Sequence, residues 1–241
     1  MLHRTVSLGL AVGLLVAVAV ASATPDASAA PAGKIKLLML HNGGHSFEGF
    51  TKAMDPVLEK TGDFDVTVGE SFDVLKPENI KKFDVVLFYG SGGKMDEAAA
   101  GGLEGFVSGG GGMAGVHATD ANKNSDVYWR LIGGRFIGHG GGKFMVRIED
   151  KKHPVTAGME DFEIQDETYR NKYHPEAEIH SLVHMDRGDE QQSMAWVQEI
   201  GKGRVFCTTL GHGGGAFANP EFQRFVLRGL YWAAGREPKD P

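Results

Sequence analysis

The sequence predicts an α/β fold, with a mostly parallel sheet flanked by helices and a β-rich second half. In the first half, short apolar runs at 34–40, 65–68, 83–89 and 113–116 alternate with segments whose apolar residues recur at helical spacing. Strands that alternate with helices are typical of right-handed crossovers between parallel strands. The second half instead contains strand-like runs with short links, at 143–148, 162–164, 179–184, 194–199 and 204–209.

Helix ends are indicated by capping residues, prolines and glycines. Ser46 is a candidate N-cap for the first helix, but Pro56 argues against one uninterrupted helix there. A helix over 95–107 is weakened by three glycines, each costing about 1 kcal/mol relative to alanine. The last helix has Asn219 as its cap, a proline at its first position and Gly235 as its stop.

The N-terminus has the features of a secretory signal peptide, which we assign to residues 1–23. Arg4 supplies a positive charge, an apolar run follows over 8–20, and 21–23 offers a small-residue cleavage site. A second cleavage site at 27–29 is an alternative, and so is a membrane anchor, although the apolar run is shorter than the ~20 residues of a comfortable span. We expect an exported protein, periplasmic or extracellular, with no stable membrane insertion after cleavage.

A disordered linker rich in alanine, proline and serine is expected at 24–33, followed by one domain at 34–236. The chain has a formal net charge of −6 and no marked cluster of lysine and arginine, so we expect no nucleic-acid partner. Cys207 is the single cysteine, which leaves no internal disulfide, and its apolar surroundings favour a buried, unreactive thiol. The oligomeric state remains open.

Glycine-rich segments lie mainly at the carboxyl ends of predicted strands, where ligands bind in open α/β sheets. They occupy 43–44, 90–93 and 109–112, and none fits a nucleotide-binding pattern such as G-x-x-x-x-G-K-[ST]. Tight turns and close backbone approach account for them more simply. We therefore expect these loops to shape a pocket without binding a nucleotide.

Five histidines lie beside glycine at predicted strand ends: His41, His45, His117, His139 and His212. One loop histidine is usually a solvated surface residue, but five in this context indicate a site, because imidazole binds metals and transfers protons near neutral pH. All except His41 are candidate ligands for a divalent metal such as zinc, although no compact zinc motif is present. The histidines that we expect to be structural or on the surface are His153, His174, His180 and His184.

The segment 165–169 brings two carboxylates and an aromatic residue into one short stretch. A carboxylate close to histidines can act as a general acid or base, bind a metal or orient an imidazole, and Glu167 is the catalytic candidate. The simpler alternative is that Asp166 and Glu167 are solvated in an exposed turn.

Several motifs follow one another in a specific order over 34–235. They are HSF at 45–47, GGGMAGVHATD at 110–120, YWRLIGGRFIGHG at 128–140, VRIEDKKHPVTAGM at 146–159, DETY at 166–169, GKGRVFCTTLGHG at 201–213 and NPEFQRFVLRGLYWAAG at 219–235. In this order and spacing, the chain resembles the ThuA-like (trehalose-utilisation) family. The resemblance implies a class I glutamine amidotransferase-like (flavodoxin-like) fold.

The resemblance also implies that the usual nucleophile of that fold is absent. Class I glutamine amidotransferases carry a cysteine on a strained strand-to-helix turn, in the pattern G-x-C-x-G. The corresponding turn here is 115–119, and His117 occupies the nucleophile position. Imidazole there cannot form the usual thioester, so glutamine hydrolysis is not expected. His212 lies where the C-terminal catalytic histidine of the fold is expected.

The family's name and gene neighbourhoods imply sugar metabolism, particularly of disaccharides oxidised to a 3-keto form. A carbonyl at C3 acidifies the C2 proton, which His117 or Glu167 would remove, and a histidine-bound metal or an imidazolium would stabilise the enolate. Loss of the C1 oxygen would then split the glycoside, with His212 or His139 protonating the leaving group.

Substrate binding is assigned to His45, Tyr169 and Trp129, since an aromatic ring suits stacking on a small-molecule carbohydrate. Trp129 is equally suited to the core. The alternative to an enzyme is a non-catalytic sugar-binding or scaffold module that retains the fold, because no complete catalytic signature is present.

The assigned signal peptide gives a first prediction. The mature protein should be soluble and begin near Thr24 or Ala30, because the charge, apolar run and small residues direct cleavage there. Mass spectrometry of the exported protein measures this directly. An intact Met1 terminus on membrane-bound material would contradict it.

Overall fold

The computed structural model of the chain describes residues 33–91, 93–121, 125–187 and 190–241. The assigned signal peptide and all of the linker except Gly33 lie outside the described residues. Within the described ranges, every helix is too short or too polar to cross a membrane.

A nine-stranded sheet forms the centre of the structure. Its strands are β1 (Ile35–His41), β2 (Phe64–Gly69), β3 (Val85–Tyr89), β4 (Gly112–Val116), β5 (Gly134–Ile148), β6 (Phe162–Tyr173), β7 (His180–Arg187), β8 (Glu190–Ile200) and β9 (Gly203–Thr208). The helices that flank it are α1 (Phe47–Thr61), α2 (Pro77–Ile80), α3 (Glu97–Ser108), α4 (Asp126–Ile132), α5 (Gly214–Phe217) and α6 (Pro220–Ala233).

The sheet has a parallel half and an antiparallel half. Its strand order is β2-β1-β3-β4-β9-β8-β7-β5-β6, and all pairs from β2 to β9 are parallel. The remaining four pairs are antiparallel. The predicted α/β class is confirmed, and the β-rich second half continues the same sheet.

Apolar residues cover both faces of β1, β3 and β4, which explains their continuous apolar runs, whereas the edge strand β2 is mostly exposed. Along β1, Leu37 and Met39 belong to a core cluster with α1 and α6, whereas Leu38 and Leu40 belong to a second cluster with α3 and α4. These three strands therefore form a buried layer between two helical layers, and their ends carry the polar groups.

The hairpin of β5 and β6 is longer than the sequence predicts. The predicted runs 143–148 and 162–164 cover only part of these strands, which pair from Gly134 opposite Tyr173 to Val146 opposite Phe162. The glycines of 138–142 gave no strand signal, because glycine lacks the side chains that reveal alternation. The interpretation of 165–169 as an exposed turn is therefore wrong, and His139 lies within β5 and not at the end of a strand.

Helix α1 continues through Pro56, so the predicted interruption there is wrong. Pro56 lies on the exposed side of the helix, where the carbonyl group that loses its donor faces water. The helix is held at its start by Ser46, whose Oγ accepts from the backbone N–H of Gly49 at 3.2 Å, as the sequence predicts. Burial of Phe50 and Met54 against the sheet offsets the lost hydrogen bond.

The caps of α6 match the sequence prediction. Oδ1 of Asn219 accepts from the backbone N–H groups of Glu221 and Phe222, at 2.9 and 3.3 Å. Gly235 has φ +71°, in the left-handed region that ends helices. The helix packs tightly on β9, because a Cβ added at Gly229 would lie 2.4 Å from the ring of Phe206.

Two adjacent glycines of α3 provide a matched stability test. Gly101 is exposed and a Cβ there would meet nothing within 4 Å, so Gly101→Ala should stabilise the protein by up to ~1 kcal/mol. A Cβ at Gly102 would lie 2.2 Å from the backbone oxygen of Leu75, so Gly102→Ala should destabilise by about 1–3 kcal/mol. Urea unfolding of both variants measures this, and equal shifts of the same sign would contradict the packing described.

Candidate functional site

A strained turn places His117 directly after β4. His117 has φ +55° and is the one residue other than glycine with positive φ among the described residues. Its backbone N–H donates to the oxygen of Thr208 at 2.8 Å, which fixes the turn against the end of β9. Such strain persists where surrounding structure over-determines it, and it is common at functional sites.

Two further histidines meet His117 at the carboxyl edge of the parallel strands. His212, in the loop after β9, places Nδ1 3.2 Å from Nε2 of His117. His45, in the loop after β1, packs its ring edge-on to His117 with a centroid separation of 4.6 Å. One nitrogen from each of these three imidazoles lies within 4.8 Å of the other two.

Glu167 of β6 joins this group to a fourth histidine. Its Oε2 lies 3.3 Å from Nδ1 of His212 and 3.7 Å from Nε2 of His117. Its Oε1 lies 3.4 Å from Nδ1 of His139 on β5. The side chain of Glu167 is 19% exposed, and those of His139 and His212 are 48% exposed. The carboxylate therefore lies between buried and accessible imidazoles.

Hydrogen bonds fix the tautomer of His117. Its Nδ1 lies 2.9 Å from the backbone oxygen of Thr209, so this nitrogen carries the proton and Nε2 keeps a lone pair. The hydroxyl oxygen of Tyr169 lies 3.3 Å from that Nε2. Burial raises the pKa of Tyr169, so the hydroxyl keeps its proton. Burial lowers the pKa of His117 to about 3, which keeps the imidazole neutral.

The three clustered histidines suit a divalent metal such as zinc. Tetrahedral coordination with Zn–N distances of ~2.0–2.1 Å places two ligand nitrogens about 3.3 Å apart, close to the 3.2 Å between His117 and His212. Nδ1 of His45 is buried and has no hydrogen-bond partner among the described residues. Burial, followed by the charge on His212, lowers the pKa of His45 and favours the neutral form that binds metals. His139, the fourth candidate ligand, lies outside this trio.

The two aromatic residues predicted to bind substrate, Tyr169 and Trp129, lie in different parts of the structure. Tyr169 is buried beside His117, whereas Trp129 packs elsewhere, 3.7 Å beneath the guanidinium of Arg135 and edge-on to His174. Trp129 is therefore not brought to the histidine cluster, because α4 directs it to the base of the β5–β6 hairpin. Phe136, and not Trp129, packs beside Tyr169, with 4.6 Å between the two ring centroids.

Sequence reasoning missed the role of Asp166. Its carboxylate is 6% exposed and accepts from the backbone N–H groups of Gly211 and His212, at 2.6 and 3.0 Å. Burial raises its pKa. Adjacent acids usually indicate a solvated surface, so the available signal was the position of DETY next to an apolar strand.

Comparisons with known proteins identify the family of the chain. The ThuA family, described as trehalose utilisation, matches residues 36–233. The chain belongs to this family. No curated protein matches the chain significantly. The matched range extends over the whole sheet except its first residue, and it includes His45, His117, His139, His212 and Glu167.

Solved structures show the same fold at low sequence identity. A ThuA-like protein from Parabacteroides merdae ATCC 43184 is 21% identical with a TM-score of 0.73, and the match covers 86% of this chain and 93% of that one. A ThuA-like protein from Bacteroides uniformis ATCC 8492 is 18% identical with a TM-score of 0.68, covering 84% and 93%. The β-galactosidase from Rahnella sp. R3 is 14% identical with a TM-score of 0.61, covering 87% of this chain and 32% of that one. The fold is glutamine amidotransferase-like, as the resemblance implied.

The position of Cys207 leads to a prediction about glutamine. Cys207 is buried within β9, and burial raises the pKa of its thiol. His117 occupies the strained turn after β4, which the resemblance aligns with the nucleophile position of the amidotransferases. The protein should therefore release no ammonia from glutamine, since no thiolate is available. The measurement is an ammonia assay on the wild type and on Cys207→Ser. Ammonia release that disappears in the serine variant would refute this interpretation.

Proposed function

We propose that this ThuA-family protein is an exported enzyme that acts on carbohydrates such as 3-keto-glycosides, without glutaminase activity. The observation that supports this most is the position of Glu167, which contacts His117 and His212 through one oxygen and His139 through the other. A carboxylate placed between a metal-competent cluster and a solvent-accessible imidazole suits proton transfer on a bound substrate. Export rests on the N-terminal sequence alone.

The proposed reaction is elimination across C1 and C2 of the keto-sugar. Glu167 removes the C2 proton, which the neighbouring C3 carbonyl makes acidic. The electron pair of the C2–H bond forms a C1–C2 double bond as the bond from C1 to the leaving oxygen breaks. His139 donates a proton to that oxygen and is reprotonated by Glu167, 3.4 Å away. No proton or electron is left over.

The trio of His45, His117 and His212 would hold the divalent ion. When bound there, such an ion supplies an electrophile that polarises the C3 carbonyl. His117 suits ligation better than the base role expected from the sequence, because it is 1% exposed and cannot reach a substrate proton. His212 is then also a ligand, which leaves His139 as the proton donor.

Variants of the site should separate metal binding from chemistry. In Glu167→Gln, turnover of a 3-keto-glycoside should fall about 10²- to 10⁴-fold while zinc content is retained, because the general base is lost. In His117→Ala and His212→Ala, zinc content and melting temperature should both fall, because a bound metal stabilises the folded state. Metal analysis, steady-state kinetics and thermal unfolding on the same preparations test both statements.

A histidine outside the site serves as the control. His184 of β7 contacts Glu149 and Asp186, so His184→Asn should leave zinc content and turnover unchanged. Wild-type turnover in Glu167→Gln would exclude the proposed base. A sugar that binds the wild type without turnover, in both zinc-loaded and chelator-treated protein, would favour the alternative of a sugar-binding or scaffold module.

A further inference from the structure

We infer that Asp166 is a positioning residue that fixes the Gly211–His212 peptide and, through it, the imidazole of His212. The inference rests on the proposed function of His212 as a metal ligand. It extends that function by identifying what holds the ligand in place.

The carboxylate of Asp166 accepts three hydrogen bonds from backbone N–H groups among the described residues. Its Oδ2 accepts from Gly211 at 2.6 Å, and its Oδ1 accepts from His212 at 3.0 Å and from Glu167 at 2.9 Å. Hydrogen bonds to an ionised acceptor are about twice as strong as those between neutral groups. Because Asp166 belongs to β6, these bonds attach the loop after β9 to the hairpin.

The opposite side of the same peptide is also held. The hydroxyl of Tyr89 donates to the backbone oxygen of Gly211 at 3.1 Å, and the ring of Tyr89 stacks on Phe50 in the core. Gly211 has φ +113°, and a Cβ there would lie 2.9 Å from the ring of Phe222. The Gly211–His212 peptide is therefore held on both sides: its carbonyl oxygen accepts from Tyr89, and its N–H donates to Asp166.

The imidazole of His212 depends on this support because it is half-exposed. Its polar contacts are Nε2 of His117 at 3.2 Å and Oε2 of Glu167 at 3.3 Å, both on Nδ1. The two adjacent acids therefore contact different parts of His212: Asp166 accepts from its backbone N–H, and Glu167 lies against its ring. A small rotation of the peptide would move Nδ1 out of the trio.

The experiment measures zinc affinity of folded, zinc-free protein by competition with a chromophoric chelator. Asp166→Asn replaces one acceptor oxygen with an NH₂ group that faces backbone donors, so the zinc Kd should rise about 10- to 100-fold, as for other residues that support metal ligands. Tyr89→Phe removes a single bond and should raise Kd by a smaller factor. An unchanged zinc Kd in a folded Asp166→Asn protein would overturn the inference. If Asp166→Asn does not fold, an unchanged zinc Kd in Tyr89→Phe would overturn it instead.

Asp161→Asn is the matched control. Asp161 lies on the same hairpin and accepts from the backbone N–H of Ile148 at 2.8 Å, away from the trio. It should lower the melting temperature and leave the zinc Kd unchanged. If Asp161→Asn weakened zinc binding as much as Asp166→Asn, the effect would be general loss of stability and the inference would be wrong.

A second measurement separates this inference from the proposed metal function. Amide hydrogen exchange of Gly211 and His212 in zinc-free protein should accelerate in Asp166→Asn and not in Asp161→Asn. If the wild type bound no zinc, the metal function would fail, while faster exchange would still support the positioning role. Unchanged exchange would overturn the positioning role whatever the zinc result.

Discussion

The candidate site depends on the attachment of β6 to the carboxyl edge of the parallel strands. Three of its side chains make this attachment at successive points: Asp166 binds the loop after β9, and Tyr169 contacts His117. Asn171, with its amide oriented to donate, binds Oδ2 of Asp120 at 2.7 Å. Glu167 lies within this attached stretch, so strand pairing sets the position of its backbone and its distance to His139 on β5. Sites built on regular elements hold their geometry more closely than sites on loops.

The sequence predicts most of the parallel half well because β1, β3 and β4 are buried on both faces. Continuous apolar runs mark β1, β3 and β4, and the strand ends follow from the polar and glycine residues after them. The caps at Ser46 and Asn219 were equally readable, since a capping side chain acts within a few residues of itself. These are local rules, and they hold wherever the tertiary structure does not oppose them.

The other features of the fold and site could not be predicted from the sequence, because they depend on long-range contacts. The glycines at 138–142 belong to β5 because β6 pairs with them, and no local sequence pattern predicts that pairing. Pro56 is tolerated in α1 because its exposed side faces water, which a sequence window does not reveal. Trp129 and Phe136 belong to one motif, but which of the two approaches Tyr169 is decided by how α4 meets the hairpin.

The turn at His117 shows how one backbone geometry can present a different chemical group. In the amidotransferases that the chain resembles, such a turn exposes a thiol for attack. Here the residue is a histidine whose Nδ1 donates to Thr209, so the turn presents the lone pair of Nε2 to the cluster. A neutral, oriented lone pair next to two other imidazoles cannot form the thioester of those enzymes, and it is a good ligand for a metal. The strained turn thus directs its side chain to this edge of the sheet, whichever chemistry that side chain performs.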